Sequence, residues 1–358
     1  MKIVLVGPTY PYKGGGAHHT TELARRLSAH GHDVVIESWR AQYPAFLYPG
    51  QQTISAPDGE PFPHVRRLLD WRRPDGWVWA GRRSREAGLV VLAVLSPVQV
   101  PAYLGILAGL RRRARVVALC HNVLPHERKP YDAPLMKALL RRVDLVLTHS
   151  ARQAGLAGGL TPAPVRVAVM PPHLPARHDG VAGAAGVRGR LLFFGIVRPY
   201  KGLDLLLRAL AAGPPQVSLT VAGEFWGGLD DTKALIAELG LGDRVELRPG
   251  YVPAGDVPAL FAAADALVLP YRSATASQNV WLGHEHGVPV IATRVGSLAD
   301  HVTDGVDGLL VEPGSVRALT DALRRFYAPG EPERLRAAVK AVDPDPYWAA
   351  YVDTLLGT

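Results

Sequence analysis

Residues 190–212 read RLLFFGIVRPYKGLDLLLRALAA. The first six, Arg190–Gly195, form a short apolar run closed by a glycine. The last ten, Leu203–Ala212, carry leucines at helical spacing. Two cations, Arg198 and Lys201, stand in the loop between them. A strand that is apolar on both faces, followed at once by an amphipathic helix, is the unit of a parallel sheet covered on both sides.

The same unit recurs in both directions along the chain. Downstream, strands are expected at Val217–Ala222, Val245–Leu247, Ala266–Leu269 and Val288–Thr293, with a helix around Thr232–Leu239. Upstream, KIVLVG (2–7) is a strand, Ala17–His30 a helix and HDVVIES (32–38) a second strand. Further strands fall at Leu89–Leu95, Val116–Leu119 and Leu145–Thr148. The expected fold class is α/β, with two doubly wound, Rossmann-like parallel-sheet domains facing a cleft. The stretch Met170–Gly189 is rich in proline, glycine and alanine and has no periodicity. It places a first domain at 1–171, a linker at 172–189 and a second domain at 190–342. The final segment, 343–358, carries Tyr347, Trp348, Tyr351 and Leu355 at helical spacing, as a helix packing back on the first domain would.

Composition narrows the classes. The 358 residues are 48% hydrophobic and 20% charged, enough for sizeable cores and against global disorder. The single cysteine, Cys120, excludes a disulfide scaffold and a cysteine-based zinc site within one chain. The apolar part of MKIVLVGPTY is too short for a signal peptide. Residues 87–110 carry no charge, which meets the length of a spanning helix. Ser96, Pro97 and Pro101 divide that run, so a strand, a turn and an apolar helix from about Ala102 to Leu110 are expected instead. The net charge of +8 is uneven. Residues 1–185 hold 24 Lys+Arg and 12 Asp+Glu, whereas 186–358 hold 16 and 20. A basic half of this kind favours an anionic surface or ligand.

In doubly wound sheets ligands bind at the carboxyl ends of the strands, so the loops there come first. After the first strand, GPTYPYKGGG (7–16) runs into a helix. Gly14, Gly15 and Gly16 would let backbone N–H groups approach an anion, although a flexible turn explains the glycines by themselves. The loop matches neither the dinucleotide fingerprint nor a P-loop. Arg198 and Lys201 can hold a diphosphate from one side, Arg as a fork and Lys as a point charge. In YRSATASQN (271–279), Thr275, Ser277, Gln278 and Asn279 can cap the following helix or face an anionic, hydroxyl-rich ligand. HNVLPHE (121–127) brings His121, Asn122, His126 and Glu127 to a strand end. No metal motif is seen, since His284 and His286 do not match H-E-x-x-H. WRRPDGWVWAGRRSR (71–85) mixes three tryptophans with five arginines, and Arg111, Arg112, Arg113 and Arg115 follow. That mixture suits an anionic membrane surface, a nucleic-acid patch or a solvated basic face.

Taken in order, these pieces resemble the GT-B glycosyltransferases of family 4, a group of retaining enzymes. Gly14, Gly15, His19, Leu23, Leu27, Gly31, His32 and Val34 resemble its opening pattern, and FFGIVRPYKGLDLLLRAL (193–210) its second-domain opening. VAGE (221–224), GYV (250–252), ADA (264–266), GVPVIAT (287–293), Gly296 and Gly305 with GLLV (308–311) fit its later signposts. The resemblance spans nearly the whole chain. It implies a nucleotide-diphosphate sugar held mainly by the second domain and a saccharide or lipid-linked acceptor held by the first. It implies that Gly14 and Gly15 approach the donor phosphates, that Arg198 and Lys201 neutralise them, and that backbone at Tyr251 and Val252 reads the base. Glu224, Thr275 and Ser277–Asn279 would serve the donor, His121 would contact the transferred sugar, and His19, Asn122, His126 and Glu127 would lie on the acceptor side. It also implies retention of configuration with no cofactor or metal. Three positions depart from the pattern. Ile196 stands where the family has arginine, and Ala274 and Leu282 stand where it has the E-x7-E glutamates. Thr275, Ser277, Gln278 or Glu285 are the candidates to replace those carboxylates. The missing pair motivates a rival expectation, a nucleotide-sugar-binding protein with a degenerate site. A basic nucleic-acid-binding protein is the weaker rival, since no nucleic-acid motif is present. The expected location is the cytoplasm, peripheral on the inner face of the membrane.

Overall fold

The computed structural model describes residues 1–44, 51–57, 59–125, 128–173, 186–274 and 277–357. The chain divides into two compact units, Met1–His173 with Pro344–Thr358, and Leu174–Asp343.

The first unit is built on seven parallel strands: β1 (Lys2–Val6), β2 (Asp33–Ala41), β3 (Val65–Asp70), β4 (Leu89–Val94), β5 (Arg115–Cys120), β6 (Leu145–Thr148) and β7 (Val165–Val167). Their order is β3-β2-β1-β4-β5-β6-β7. Successive side chains of β1 alternate between two apolar layers. Ile3 and Leu5 meet Leu23 and Leu27 of the helix Gly15–Ala29 and Trp348, Tyr351 and Leu355 of the last helix, Asp345–Leu356. Val4 and Val6 face the layer of Tyr103, Ile106 and Met136. A strand period of two feeding two helical layers is what makes these strands apolar on both sides. The uncharged run at 87–110 resolves into β4, a short turn capped by Ser96, and the helix Val100–Leu110. No helix among the described residues is long and apolar enough to cross a membrane.

The second unit has six parallel strands: β8 (Arg190–Phe194), β9 (Ser218–Gly223), β10 (Val245–Pro249), β11 (Ala266–Leu269), β12 (Val290–Thr293) and β13 (Gly308–Val311), in the order β10-β9-β8-β11-β12-β13. The helices Leu203–Ala212 and Val316–Phe326 cover one face, and Val257–Ala262 with Asn279–Glu285 the other. The sheet starts on a buried carboxylate. Asp265 accepts from the backbone N–H of Arg188 and of Arg190 and from the Tyr327 hydroxyl. Burial and that carboxylate push the Tyr327 hydroxyl upward. A buried charge needs such donors, since an unmatched one costs several kcal/mol.

Three strands, β3, β7 and β13, were not expected from the pattern. All three are sheet edges. β3 (VRRLLD) exposes most of its length and β7 is only three residues long. Edge strands have one neighbour and carry polar residues against unwanted pairing, so the apolar signal fades in β3 and β7; β13 (GLLV) is apolar but only four residues long.

Trp348 is 1% exposed and reaches Pro172 through its indole N–H at 3.1 Å. Trp348→Ala is expected to cost about 3–5 kcal/mol, read as a lower urea midpoint for the first unit. A loss below about 1 kcal/mol would mean that the last helix is not part of that core.

Candidate functional site

Both sheets reverse their strand order beside their first strand, between β1 and β4 in one unit and between β8 and β11 in the other. Helices leave to opposite faces at such a point, and a crevice opens at the carboxyl ends of the two strands. The loops that flank these crevices carry most of the candidate residues.

In the second unit the loop after β8 meets the loop after β11. A β-carbon placed on Gly195 would lie 3.7 Å from Lys201 Nζ and 3.6 Å from Asn279 Nδ2, so both groups converge at the end of β8. Lys201 Nζ sits 5.2 Å from the Tyr271 ring centre. Partial burial pulls its ammonium below the ordinary value, with Tyr200 opposing and Arg198 adding to the shift. Asn279 Nδ2 donates to Phe194 O at 2.9 Å and to the Tyr271 hydroxyl at 3.3 Å. Burial pushes that hydroxyl up to about 12, so it stays protonated. Arg198 stacks over Trp226 at 5.2 Å and Tyr200 at 5.9 Å. The backbone N–H of Trp226 donates to Val197 O, and the Val197 backbone N–H donates to Glu224 O.

The turn that holds Lys201 is latched by a pair the sequence reading did not single out. Arg272 forks onto Asp204 at 2.7 and 2.6 Å and also donates to Pro199 O. Arg272 holds the Asp204 carboxyl below its usual range. Arginine and aspartate 68 residues apart leave no local pattern, so only the fold brings them together.

The remaining residues expected for the donor fall in three places. Ser277 Oγ accepts from Asn279 N–H at 3.3 Å, and Gln278 precedes the helix Asn279–Glu285. Capping therefore accounts for Ser277 locally. Thr275 lies outside the described residues. Tyr251 and Val252 line a separate cavity of about 550 Å³ with Arg190, Thr220, Arg248 and Leu260. The positions that lack glutamate are both apolar in surroundings: Ala274 is buried, and Leu282 packs on the same cluster. Glu285 ends its helix, about 9 Å along the axis from Asn279, and its Oε2 is buried without a partner among the described residues. It is too far from the end of β8 to replace the missing pair there.

In the first unit Gly14 has φ +84°, a left-handed conformation that favours glycine, and it starts the helix Gly15–Ala29 with open space around it. Gly15 is equally open. Gly16 is accounted for by packing, because a β-carbon there would lie 2.6 Å from Leu95 across the β1/β4 crevice. One turn further, His19 enters a cluster of imidazoles. Its Nδ1 bonds His173 Nε2 at 2.8 Å and its Nε2 bonds the Tyr351 hydroxyl at 3.0 Å. His121, at the end of β5, stands edge-on to His19 with ring centres 5.0 Å apart, and His149 lies 5.2 Å from His121 and 5.8 Å from His19. Burial lowers all four, with neighbouring imidazoles adding for His19, His121 and His173; His149 falls to about 4 and His173 to about 3. His149 and His173 were not singled out in the sequence, where each stands alone. Asn122 sits on the loop that Gln153 holds through Val123 N–H. His126 and Glu127 lie outside the described residues. Among the described residues no group of three acidic, histidine or cysteine side chains is placed to hold a metal.

The tryptophan- and arginine-rich segment is partly absorbed by the fold. Trp77 packs on Gly105 and donates to Asp70 O. Arg72, Arg73 and Arg83 pair with Asp70, Asp75 and Glu37. Trp71 and Trp79 stay exposed, at 40% and 55%, and Arg82 lies 4.8 Å over Trp79. Arg85 reaches Gly109 O, which sets it beside Arg111.

Two switch-point units of this kind define the class of GT-B proteins. Over its full length the chain superimposes on Anabaena HepE, solved with UDP and glucose (TM-score 0.74, 19% identity, all of both chains). It also superimposes on sucrose-phosphate synthase from Thermosynechococcus elongatus (TM-score 0.69, 20% identity, all of both chains). Residues 13–174 match the family model of Glycosyltransferase Family 4, and residues 188–328 that of Glycosyl transferases group 1. Each of the two units thus matches a glycosyltransferase family model. Among curated relatives, D-inositol 3-phosphate glycosyltransferase of Streptomyces scabiei is 29% identical over 92% of this chain and 82% of its own. That of Arthrobacter sp. strain FB24 is 32% identical over 47% of this chain and 41% of its own. The chain thus spans about two fifths of the length of the latter relative.

The imidazole cluster makes stability depend on pH. A histidine of the unfolded chain titrates near 6.5, whereas His149 in the fold titrates at about 4. Above pH 6.5 both states are neutral and the full stability is present. Below it the unfolded chain takes up protons that the fold refuses, and by pH 4 His149 alone has cost about 3 kcal/mol. The urea midpoint is expected to fall steadily from pH 7 to pH 4.5. A flat profile would contradict neutral, buried imidazoles.

Proposed function

We propose that the chain is a glycosyltransferase that moves a hexosyl group from a nucleotide-diphosphate sugar to a saccharide or lipid-linked acceptor, with retention of configuration. One observation carries this reading. Lys201 and Asn279 converge at the end of β8, at the reversal of strand order, with Arg198 in the same loop. In the reaction the anomeric C–O bond to the diphosphate breaks, and the sugar turns oxocarbenium-like while negative charge grows on the leaving phosphate. Fixed cations and amide donors in a poorly hydrated crevice stabilise that charge most effectively. Lys201 supplies a point charge, Arg198 a second cation and Asn279 an amide at the base of the crevice. Tyr251 and Val252 offer the cavity for the base. By the family resemblance, His121 is the first unit's candidate for contact with the transferred sugar, and His19 and Asn122 its candidates for the acceptor side. With the cations in this role, turnover requires no metal.

A thermal-shift screen against nucleoside diphosphates and nucleotide sugars, with EDTA present, tests the donor side. A ligand at a hundred times its dissociation constant adds about 2.7 kcal/mol, or about 5–10 °C for units of this size. A shift confined to one base is expected. Lys201→Ala is expected to lower turnover about a hundredfold or more. Turnover within a few-fold of the wild type would remove Lys201 from the diphosphate. Binding of a nucleotide sugar without product on any acceptor would favour the degenerate-site reading.

The exposed pair Trp71 and Trp79, with Arg82, Arg85 and Arg111, supports peripheral attachment to an anionic membrane surface on its cytoplasmic face. Arg111 and Arg112 hold left-handed backbone, φ 55° and 54°, in that turn. Co-sedimentation with vesicles containing phosphatidylglycerol is expected at low salt and is expected to fall with Trp79→Ala. No binding to such vesicles would remove the idea.

A further inference from the structure

His121 is held without a hydrogen bond at Nε2, which is buried with no partner among the described residues. Its ring rests instead against two other imidazoles, with ring centres 5.0 Å from His19 and 5.2 Å from His149, which lie 5.8 Å from each other. Both of those rings lean on one residue of the last helix. The Tyr351 hydroxyl bonds His19 Nε2 at 3.0 Å, and the Tyr351 ring stacks on His149 at 5.8 Å with 23° between planes.

We propose that Tyr351 is a positioning residue for His121, acting through His19 by its hydroxyl and through His149 by its ring. The last helix thereby sets the orientation of the imidazole that the proposed reaction places beside the transferred sugar. The inference rests on that reading of His121.

The hydrogen-bond arithmetic explains how one hydroxyl orders the cluster. A neutral imidazole has one N–H and one acceptor nitrogen. His19 uses both nitrogens, one on Tyr351 and one on His173. If Tyr351 donates to Nε2, then Nδ1–H donates to His173; if it accepts, His173 must donate. Either way a single direction runs along Tyr351, His19 and His173, and the tautomer of His19 is tied to that direction. Burial keeps these rings neutral, so the chain of bonds does not break by protonation near pH 7. Without the hydroxyl, His19 Nε2 loses its partner in a buried site. The ring can then turn or change tautomer, and the edge that His121 rests on moves with it.

Tyr351→Phe removes the oxygen and keeps the ring. The test uses the full chain with nitrogen-15 histidine, read by long-range proton–nitrogen correlation, with assignments from His19→Gln and His121→Gln. The wild type is expected to show one tautomer at His19. In Tyr351→Phe the His19 signals are expected to become those of a tautomer mixture, and the His121 ring signals to move. With the nucleotide sugar that gives turnover, kcat is expected to fall about tenfold while the donor KM stays within about twofold, as for a misplaced catalytic group. Asp345→Asn breaks the ion pair of the same helix with Arg26, away from the imidazoles. It serves as the structural control, expected to lower the thermal midpoint and keep kcat. Unmoved His19 and His121 signals in a folded Tyr351→Phe would overturn the relay and leave the reading of His121 intact. Signals that move while kcat holds, with His121→Ala equally active, would overturn the reading of His121 and the proposal with it.

Discussion

The reversal of strand order next to the first strand of each sheet is the constraint on which the rest depends. Where β8 is followed by β9 on one side and flanked by β11 on the other, the connecting helices must leave to opposite faces. No helix can then cap the carboxyl ends of β8 and β11 together, and the backbone there is open to a ligand. The groups proposed to meet the diphosphate stand on those two strand ends: the Arg198–Lys201 turn after β8, and Tyr271, Arg272 and Asn279 after β11. The β1/β4 reversal does the same for the glycine turn and for Leu95 in the first unit.

What fills these crevices is chosen by the cost of burying charge. A cation drawn partly out of water must gain from what it meets. Lys201 is lowered by its burial and faces a π surface and an amide, so a diphosphate arriving there gains strongly. Arg272 and Asp204 solve the opposite problem. They neutralise each other as a fork and hold the turn in place, which leaves Lys201 as the cation turned toward the end of β8. In the first unit four imidazoles share one buried site by staying neutral. Their order then rests on tautomers and packing rather than on charge.

The two-sheet fold was legible because buried parallel strands leave continuous apolar runs, and KIVLV, LVVLAV and LLFF are hard to read otherwise. Two edges were not legible, since β3 exposes most of its length and β7 has only three residues. The cation pair stood out because Arg198 and Lys201 are neighbours in sequence behind a strand. The Arg272–Asp204 latch and the cluster of His19, His121, His149 and His173 did not. Their members come from separate strand ends, and a lone histidine or arginine in a sequence says nothing about what the fold sets beside it. The tryptophan-rich segment misleads in the other direction. In sequence it sets five arginines against one aspartate, but three of those arginines are spent on Asp70, Asp75 and Glu37.

The claim that the β8/β11 crevice holds the donor diphosphate on Lys201 is tested most directly by acetylating lysines with and without nucleotide and mapping the sites by peptide mass spectrometry. At a hundred times its dissociation constant, the nucleoside diphosphate that binds should slow acetylation of Lys201 about a hundredfold. The matching nucleoside, without phosphates, should not slow it, and the other lysines should react as before. Unchanged acetylation of Lys201 while that diphosphate is bound would contradict the account.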